Sequence, residues 1–550
     1  SNYQIIINKQ NLIKFHIKMT TENENKDISH NEIYKHLESN KLIYYKINNN
    51  NKINKNFSLS AKEQECFSKM ISILKKNNLT STICRVAGGW VRDKLLGKES
   101  DDIDITVNDI EASKLIFIIN EELNPGKYKL GIIPRNPSKG KNVEVATTNI
   151  LNTVIDFVNL RCDKETKMPS PLTDAELRDI SINSLFYNIN EQKVEDFTQR
   201  GITDLEKGII NTPVEPEVAI LNDSFITLRM LRFAIKNKFK INDNINNYLE
   251  KNNKIILDNF YKKVSRERIE KELTKIFLFD NSQFVIAYLY SFNLLDSILL
   301  IKDCDDKNNY DYLNLKITNL YILGEYLYKK GKIFEIEIDS NNFNKVDYSF
   351  FLLTLYFRNK KDVNNLYLNQ KILRHTYKTS NERQLENKCM CRNIDELLNL
   401  INEEKYERYQ IGKILRRITY KNIVPILYAC IAYEYIEKVE LNDLLFEIDE
   451  NMLHNIINKV NKFFNYIKNE DMLHIDRLKP LFKGKELFDI LTIRTDKVIK
   501  PLLDYLIDEQ IKNPKLDKVQ AIQLLSKKLE EFPLNKEENA NPICLKLKVK

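Results

Sequence analysis

The chain has 550 residues, 43% of them hydrophobic and 29% charged, which describes a soluble globular protein with more than one packed core. Its 85 lysines and arginines against 77 acidic residues give a net charge of +8, a weak pointer to an anionic partner in a chain so rich in Asn, Ile and Lys. No apolar run reaches the ~20 residues that span a bilayer, and the eight cysteines and six histidines show no ligand spacing, which argues against both a membrane partner and a zinc site and suits a reducing compartment.

Residues 1–20 carry Lys9, Lys14, His16 and Lys18 and no acidic residue. That pattern is compatible with an organelle presequence, although it lacks the usual arginine. A mitochondrial or other organellar location therefore stands beside a cytoplasmic or nuclear one. Residues 20–57 are polar and Asn-rich and read as a linker. An amphipathic helix is expected from Ser60 to Asn78, with Cys66, Met70, Ile71, Ile73 and Leu74 on its apolar side. Strand-like runs follow at 103–107, 143–148, 154–160 and 185–189. After Pro213 proline becomes scarce and helical periodicity dominates to about residue 532, so an α/β head followed by a helical body is expected. No fixed-period repeat is present, which excludes a solenoid.

The segment richest in chemistry is Arg85-Val86-Ala87-Gly88-Gly89-Trp90-Val91-Arg92-Asp93, followed by Asp101-Asp102-Ile103-Asp104-Ile105. Paired glycines let backbone approach a phosphate without a Cβ in the way. Arg92 offers a fork for phosphate oxygens. Asp102 and Asp104 alternate with Ile103 and Ile105, so at strand period both carboxylates face one side. Two such carboxylates suit divalent ions that hold a triphosphate and activate a 3′-hydroxyl. Alone, a Gly-Gly pair is an ordinary turn and Asp-x-Asp an ordinary strand edge; their order, with a basic residue between, favours the functional reading.

These motifs resemble the first motif of class II CCA-adding enzymes and bacterial poly(A) polymerases, in the polymerase-β nucleotidyltransferase superfamily. The resemblance continues in order along the chain. Glu144 looks like the third carboxylate, with Asp156 as its rival. Arg178-Asp179-x-x-x-Asn183 looks like the second motif, in which Asp179 and Asn183 would read sugar hydroxyls. Asp196-Phe197 and Gly201-x-x-Asp204-Leu205-x-x-Gly208 are similar to the third motif, a hinge. Val264-Ser265-Arg266-Glu267-Arg268-Ile269 with Glu272-Leu273 is similar to the fifth, a helix-stabilising element.

The resemblance implies an α+β fold, with a polymerase-β-like head followed by an elongated all-α neck, body and tail. It implies a leader over 1–57, a catalytic head over 58–212, a nucleotide-recognising neck over 213–280, a body over 281–465 and a tRNA-binding tail over 466–550. The implied activity is addition of CCA to tRNA from CTP and ATP. Two Mg²⁺ ions, or Mn²⁺ in their place, would be held by Asp102 and Asp104 with Glu144 as the further catalytic group. Gly88, Gly89, Arg92, Asp93, Arg178, Asp179, Asn183, Asp223, Arg229 and Arg232 would bind nucleotide. Lys479, Lys483 and Lys485 lie near the tail resemblance and could meet RNA phosphates.

The fourth motif departs from the family pattern. It normally reads acidic-Asp-x-x-Arg, whose Asp and Arg replace a template by pairing with the incoming base. Here Asn222-Asp223-Ser224-Phe225-Ile226 leaves Asp223 with isoleucine in the arginine position. Positions 223 and 226 are expected on one helix face, where an arginine would share an edge with Asp223. Arg229 falls about 240° around that helix from Asp223 and Arg232 roughly opposite, so neither is an easy substitute. Leu177 and Asn211 also stand where arginine is usual. Looser base selection is the expectation. Full CCA addition, partial addition of CC or A, poly(A) synthesis and a catalytically lost tRNA-binding protein all remain open at this point.

Overall fold

The computed structural model describes residues 37, 42–43, 45–48, 51–123, 125–126, 131–134, 144–162, 166, 168–299, 310–331, 333–334, 343–358, 369, 372–376, 379–445, 447–492 and 496–532. The basic segment over residues 1–20 lies outside them. The chain forms two compact units, one of residues 1–302 with 376–378, the other of residues 303–375 with 379–550.

In the first unit, helix α1 (Ala61–Lys76) falls where the apolar spacing predicts. Ser60 caps it, and Glu63 returns a bond to the Ser60 backbone, so the capping box satisfies two orphan donors. Glu63 also accepts from Trp90 Nε1 at 3.0 Å and pairs with Lys94 at 3.0 Å, which ties α1 to α2 (Gly89–Leu95). A seven-stranded mixed sheet follows in the order β3-β4-β5-β2-β1-β6-β7. Its strands are β1 (Cys84–Ala87), β2 (Ile103–Val107), β3 (Gly131–Ile133), β4 (Val145–Ile150), β5 (Thr153–Asn159), β6 (Phe186–Asn188) and β7 (Lys193–Glu195). Only β2 and β5 run parallel; the other pairs are antiparallel. The four strand-like runs of the sequence become β2, β4, β5 and β6, while β1, β3 and β7 are too short to show a period.

Alternation explains the sheet's two faces. Ile103, Ile105 and Val107 are buried, and Asp104 between them is exposed. Helix α3 (Ala112–Leu123) buries Leu115, Ile116 and Ile119 on its inner side. Strands β4 and β5 are joined by the two residues Leu151 and Asn152, both at positive φ (49° and 61°), and Ile150 pairs with Thr153 directly across the turn. Positive φ at both central residues is the twist that a two-residue hairpin demands.

Short helices α4 (Pro171–Glu176), α5 (Gly201–Lys207) and α6 (Pro216–Asn222) lead to α7 (Ile226–Asn237), α8 (Asp243–Lys263) and α9 (Arg266–Phe277). Two expectations change here. Asp223 is not on a helix with residue 226: it is the extended residue after α6, at φ −146° and ψ 93°, and α7 begins only at Ile226. The shared-face argument for the fourth motif therefore does not hold, because the turn replaces helical geometry. Residues 282–299, expected in the body, belong to the first unit. There Phe284, Val285 and Ile286 are buried, and Tyr288 donates to Asn246 on α8 at 2.5 Å.

The second unit is helical, with helices that include 310–330, 345–354, 381–401, 408–417, 420–438 and 450–469. The last three, over 484–491, 499–512 and 518–529, close a separate apolar cluster around Leu487, Leu502, Leu506, Ala521 and Leu525. No described helix is long and apolar enough to cross a membrane.

Candidate active site

Parallel pairing of β2 with β5 puts Asp104 directly beside Asp156, and antiparallel pairing of β4 with β5 puts Thr147 on the other side of Asp156. Thr147 Oγ1 donates to Asp156 Oδ1 at 2.5 Å and holds that carboxylate in the row. Asp102 lies just before β2, exposed, and near enough for its charge to act on Asp104. Asp104 opens to solvent on one side. The surrounding protein mass and then the negative charge of Asp156, with Asp102 adding to it, push its carboxyl above the usual carboxylate range, against the pull of Arg178. Like charges gathered in this way favour a bound cation.

Glu144 stands just before β4 begins, three residues ahead of Thr147, and is not among the charges that act on Asp104. Of the two rivals for third carboxylate, Asp156 is the one that strand pairing sets beside Asp104. Among the described residues no three or more His, Cys, Asp or Glu are grouped so as to hold a metal ion by themselves. An open carboxylate set suits Mg²⁺, which binds through one or two carboxylates and leaves its other positions to water and substrate phosphates.

Gly88 ends β1 at φ 75° and ψ −120°, a conformation that glycine tolerates and residues with a Cβ avoid. A Cβ there would lie 2.8 Å from Arg178 Nη1 and 3.4 Å from the Asn183 carbonyl. The missing side chain is thus what lets Arg178 lie against the backbone. Gly89 opens α2, and a Cβ there would make only ordinary contact with Arg92 at 3.6 Å. Arg178 is held by Asp174 Oδ2 at 2.8 Å from Nη2 and 3.2 Å from Nε, and its guanidinium lies 5.1 Å from the Phe186 ring. Arg161 approaches the same Asp174 at 3.6 Å and is half-buried. Burial draws its pKa down; Asp174 opposes this, and the charges of Arg178 and Arg229 reinforce it. Three guanidiniums that repel one another mark a place for anionic oxygens.

Five of the expected nucleotide ligands instead bind one another. Arg92 is 2% exposed; its Nε and Nη2 grip Asp93 at 2.8 Å each, and Nη1 donates to Asn183 Oδ1. Asn183 Nδ2 then donates to Asp179 Oδ1 at 3.1 Å. Asp179 accepts also from the Ile180 amide at 3.0 Å and, on Oδ2, from Arg229 Nε at 2.7 Å, with Arg229 Nη2 at 2.6 Å from the same oxygen. Burial alone would raise the Asp179 pKa, but the charge and hydrogen bonds of Arg229 outweigh it and hold the carboxyl below its usual range. With its lone pairs occupied, Asp179 has none left for a ribose hydroxyl in this arrangement. Arg92 likewise presents no fork: it positions Asn183. Asp93 is 9% exposed and is engaged by Arg92. Arg229, at the outer end of the chain of bonds, is the member with an open side chain, 39% exposed.

In the helices beyond, Arg232 departs from its expected role. It is 8% exposed and its Nε bonds Glu272 of α9, itself 4% exposed, while its guanidinium lies 4.1 Å from the Phe233 ring. It joins α7 to α9. Asp223 is open, with Oδ1 accepting from the Phe225 amide at 3.2 Å and Oδ2 receiving Arg268 Nη2 at 2.6 Å. Sequence reasoning treated Arg268 only as part of a helix-stabilising element. Nothing local signals a contact between residues 45 positions apart.

Residues 84–211 match the model of the poly(A) polymerase head domain. The chain is 28% identical over 496 residues to the mitochondrial CCA tRNA nucleotidyltransferase of Candida glabrata, covering 82% of this chain and 91% of that protein. It is 26% identical to a tRNA nucleotidyltransferase of Schizosaccharomyces pombe, covering 81% and 94%. The chain resembles the class II family of CCA-adding enzymes and poly(A) polymerases, in its head and over most of its length. Its fold is that of the Thermotoga maritima CCA-adding enzyme solved with tRNA, at a TM-score of 0.56 and 17% identity, covering 86% of this chain and 96% of that one. Nucleotidyltransferases of this class II family are generally divalent-metal dependent. Asp104 and Asp156, side by side on neighbouring strands with the charge of Asp102 acting on them, fit the one or two carboxylates that such an ion takes.

Proposed function

We propose that this protein is a tRNA nucleotidyltransferase that builds the 3′-terminal CCA of tRNA from CTP and ATP without a template. The supporting observation is likeness at nearly full length, 91% of the Candida glabrata enzyme, where a poly(A) polymerase reading draws on the shared head. In the reaction the terminal 3′-oxygen forms a bond to the α-phosphorus of the incoming nucleotide, the bond to pyrophosphate breaks, and the hydroxyl proton leaves to solvent or a carboxylate. Mg²⁺ ions, two by the chemistry of such sites, would be held by Asp102, Asp104 and Asp156, and would neutralise phosphate charge and acidify the attacking hydroxyl. The chain's own part is to bind and orient. Arg178, Arg161 and Arg229 receive triphosphate oxygens beside a glycine that leaves room for them. The Arg92–Asn183–Asp179 network fixes where Arg229 points. Asp223 meets the edge of the base.

The division into catalytic head, recognising neck, body and tRNA-binding tail is part of the same proposal, with Lys479, Lys483 and Lys485 offered to RNA phosphates. A mitochondrial site of action fits the basic residues 1–20 and the mitochondrial name of the Candida glabrata relative. The test is incubation with tRNA lacking its 3′ end, Mg²⁺, and each labelled nucleotide singly and together. Ordered addition of C, C and A is expected. Runs of A, or only CC or only A, would replace this reading, and no addition in any combination would overturn it.

A further inference from the structure

Ile226 is 8% exposed at the start of α7 and offers no polar atom to a base. Arg268 reaches the same place from α9. Its Nη2 lies 2.6 Å from Asp223 Oδ2, and its guanidinium sits 4.2 Å from the ring centre of Phe225, a buried residue. The other Asp223 oxygen is fixed by the Phe225 amide. Carboxylate and guanidinium thus stand side by side, oriented by one aromatic ring, and both remain open, with side chains 39% and 35% exposed. So exposed a pair adds little to stability. Nor is it needed to hold α9, which the buried Arg232–Glu272 pair already ties to α7. What the pair offers is an acceptor and a donor on one edge.

Resting on the proposed template-free use of CTP and ATP, we infer that Arg268 supplies the donor half of the base-reading edge and Asp223 the acceptor half. Cytosine and adenine each present an exocyclic amine next to an unprotonated ring nitrogen. The amine donates to Asp223, and the ring nitrogen accepts from an Arg268 N–H that the Asp223 contact leaves over. Uracil and guanine present a carbonyl and a protonated ring nitrogen instead, so a carbonyl faces the carboxylate and an N–H faces the guanidinium. Both mismatches leave polar groups unpaired. The natural chain therefore rejects UTP and GTP despite Ile226, the reverse of what the fourth motif alone predicts.

The test uses the full-length protein with tRNA ending before CCA for CTP against UTP, and with tRNA ending in CC for ATP against GTP. The natural chain is expected to favour CTP and ATP strongly. Arg268→Gln is expected to lower both kcat/KM ratios about 5- to 150-fold, the size of one bidentate base contact, with an unchanged melting temperature. Arg268→Lys keeps the charge but not the fork, and its ratios should stay low. Unchanged ratios in Arg268→Gln, or an equal fall for all four nucleotides, would overturn the inference. So would a natural chain that uses UTP and GTP within about tenfold of CTP and ATP, a result that needs no variant to fold. If the natural chain extends neither tRNA, it is the tRNA reading that fails. Binding of CTP against UTP to the natural and Arg268→Gln proteins without tRNA then judges Arg268 by itself: a preference for CTP that the variant loses supports it, and no preference overturns it.

Discussion

Gly88→Ala tests the closest backbone approach in the site. At φ 75° and ψ −120° the position lies outside the left-handed region that other residues sometimes enter. Holding alanine there costs about 1–3 kcal/mol. The added Cβ would also stand 2.8 Å from Arg178 Nη1. That guanidinium cannot simply swing aside, because Asp174 holds it by two of its nitrogens. Losing part of this charged pairing costs about 1.5–3 kcal/mol more, so a total of about 2.5–6 kcal/mol is expected. Gly97 supplies the control: its φ is also positive, at 71°, but nothing lies within 4 Å of a Cβ built on it. Gly97→Ala should lose only the backbone share, about 1–2 kcal/mol, with turnover intact. Urea unfolding gives the stability, and single-nucleotide addition gives kcat/KM. Gly88→Ala should lose more of both than Gly97→Ala. If the two behave alike, the approach of Arg178 to the glycine is not what that position serves.

The remaining expectations are briefer. Asp156→Ala should lower turnover by orders of magnitude while Glu144→Ala leaves it near normal, measured at saturating Mg²⁺; the opposite pattern would restore Glu144 as third carboxylate. Asp104 has a folded pKa above its unfolded one, so the metal-free protein binds an extra proton between the two values. Stability from this group is complete below the unfolded pKa and is lost as pH rises through the raised folded value. Asp104→Asn should flatten that loss in metal-free melting curves while abolishing turnover, and an unchanged pH profile would count against the charge cluster. Glu272→Ala leaves Arg232 buried without its partner and should cost about 3–5 kcal/mol without altering the CTP to UTP ratio. A changed ratio with little loss of stability would return Arg232 to the nucleotide.

Where the sequence pointed correctly, the cause was local. The exposed placing of Asp104 on β2 was legible because a strand's period is two and isoleucines mark the opposite phase. Helix α1 was legible because Cys66, Met70, Ile73 and Leu74 recur at helical spacing and are buried. What the sequence could not carry was pairing at a distance. Glu144 and Asp156 lie in equally strand-like runs, and it is the pairing of β5 with β2 that sets Asp156 beside Asp104. Arg92, Asp179 and Asn183 have the residue types that hold phosphates and sugars, yet the fold turns those groups on each other. Asp223 and Ile226 suggest one helix face until the turn between α6 and α7 is known. Arg268 fills the gap from another helix, and no spacing rule connects it to Asp223.

The hairpin turn at Leu151 and Asn152 has a consequence well away from itself. Two residues, and no more, set the phase in which β5 returns from β4. One residue inserted there, or one removed, would turn the Asp156 carboxylate from the Asp104 side to the apolar side, into the place of Ile155 or Phe157, both fully buried. The chain would lose a cation-attracting charge and bury it at the same stroke. An insertion of two would keep the phase and spare the site. Tolerance of length at this turn should therefore alternate between odd and even, so that a surface loop with no side chain in the reaction sets a parity rule for catalysis.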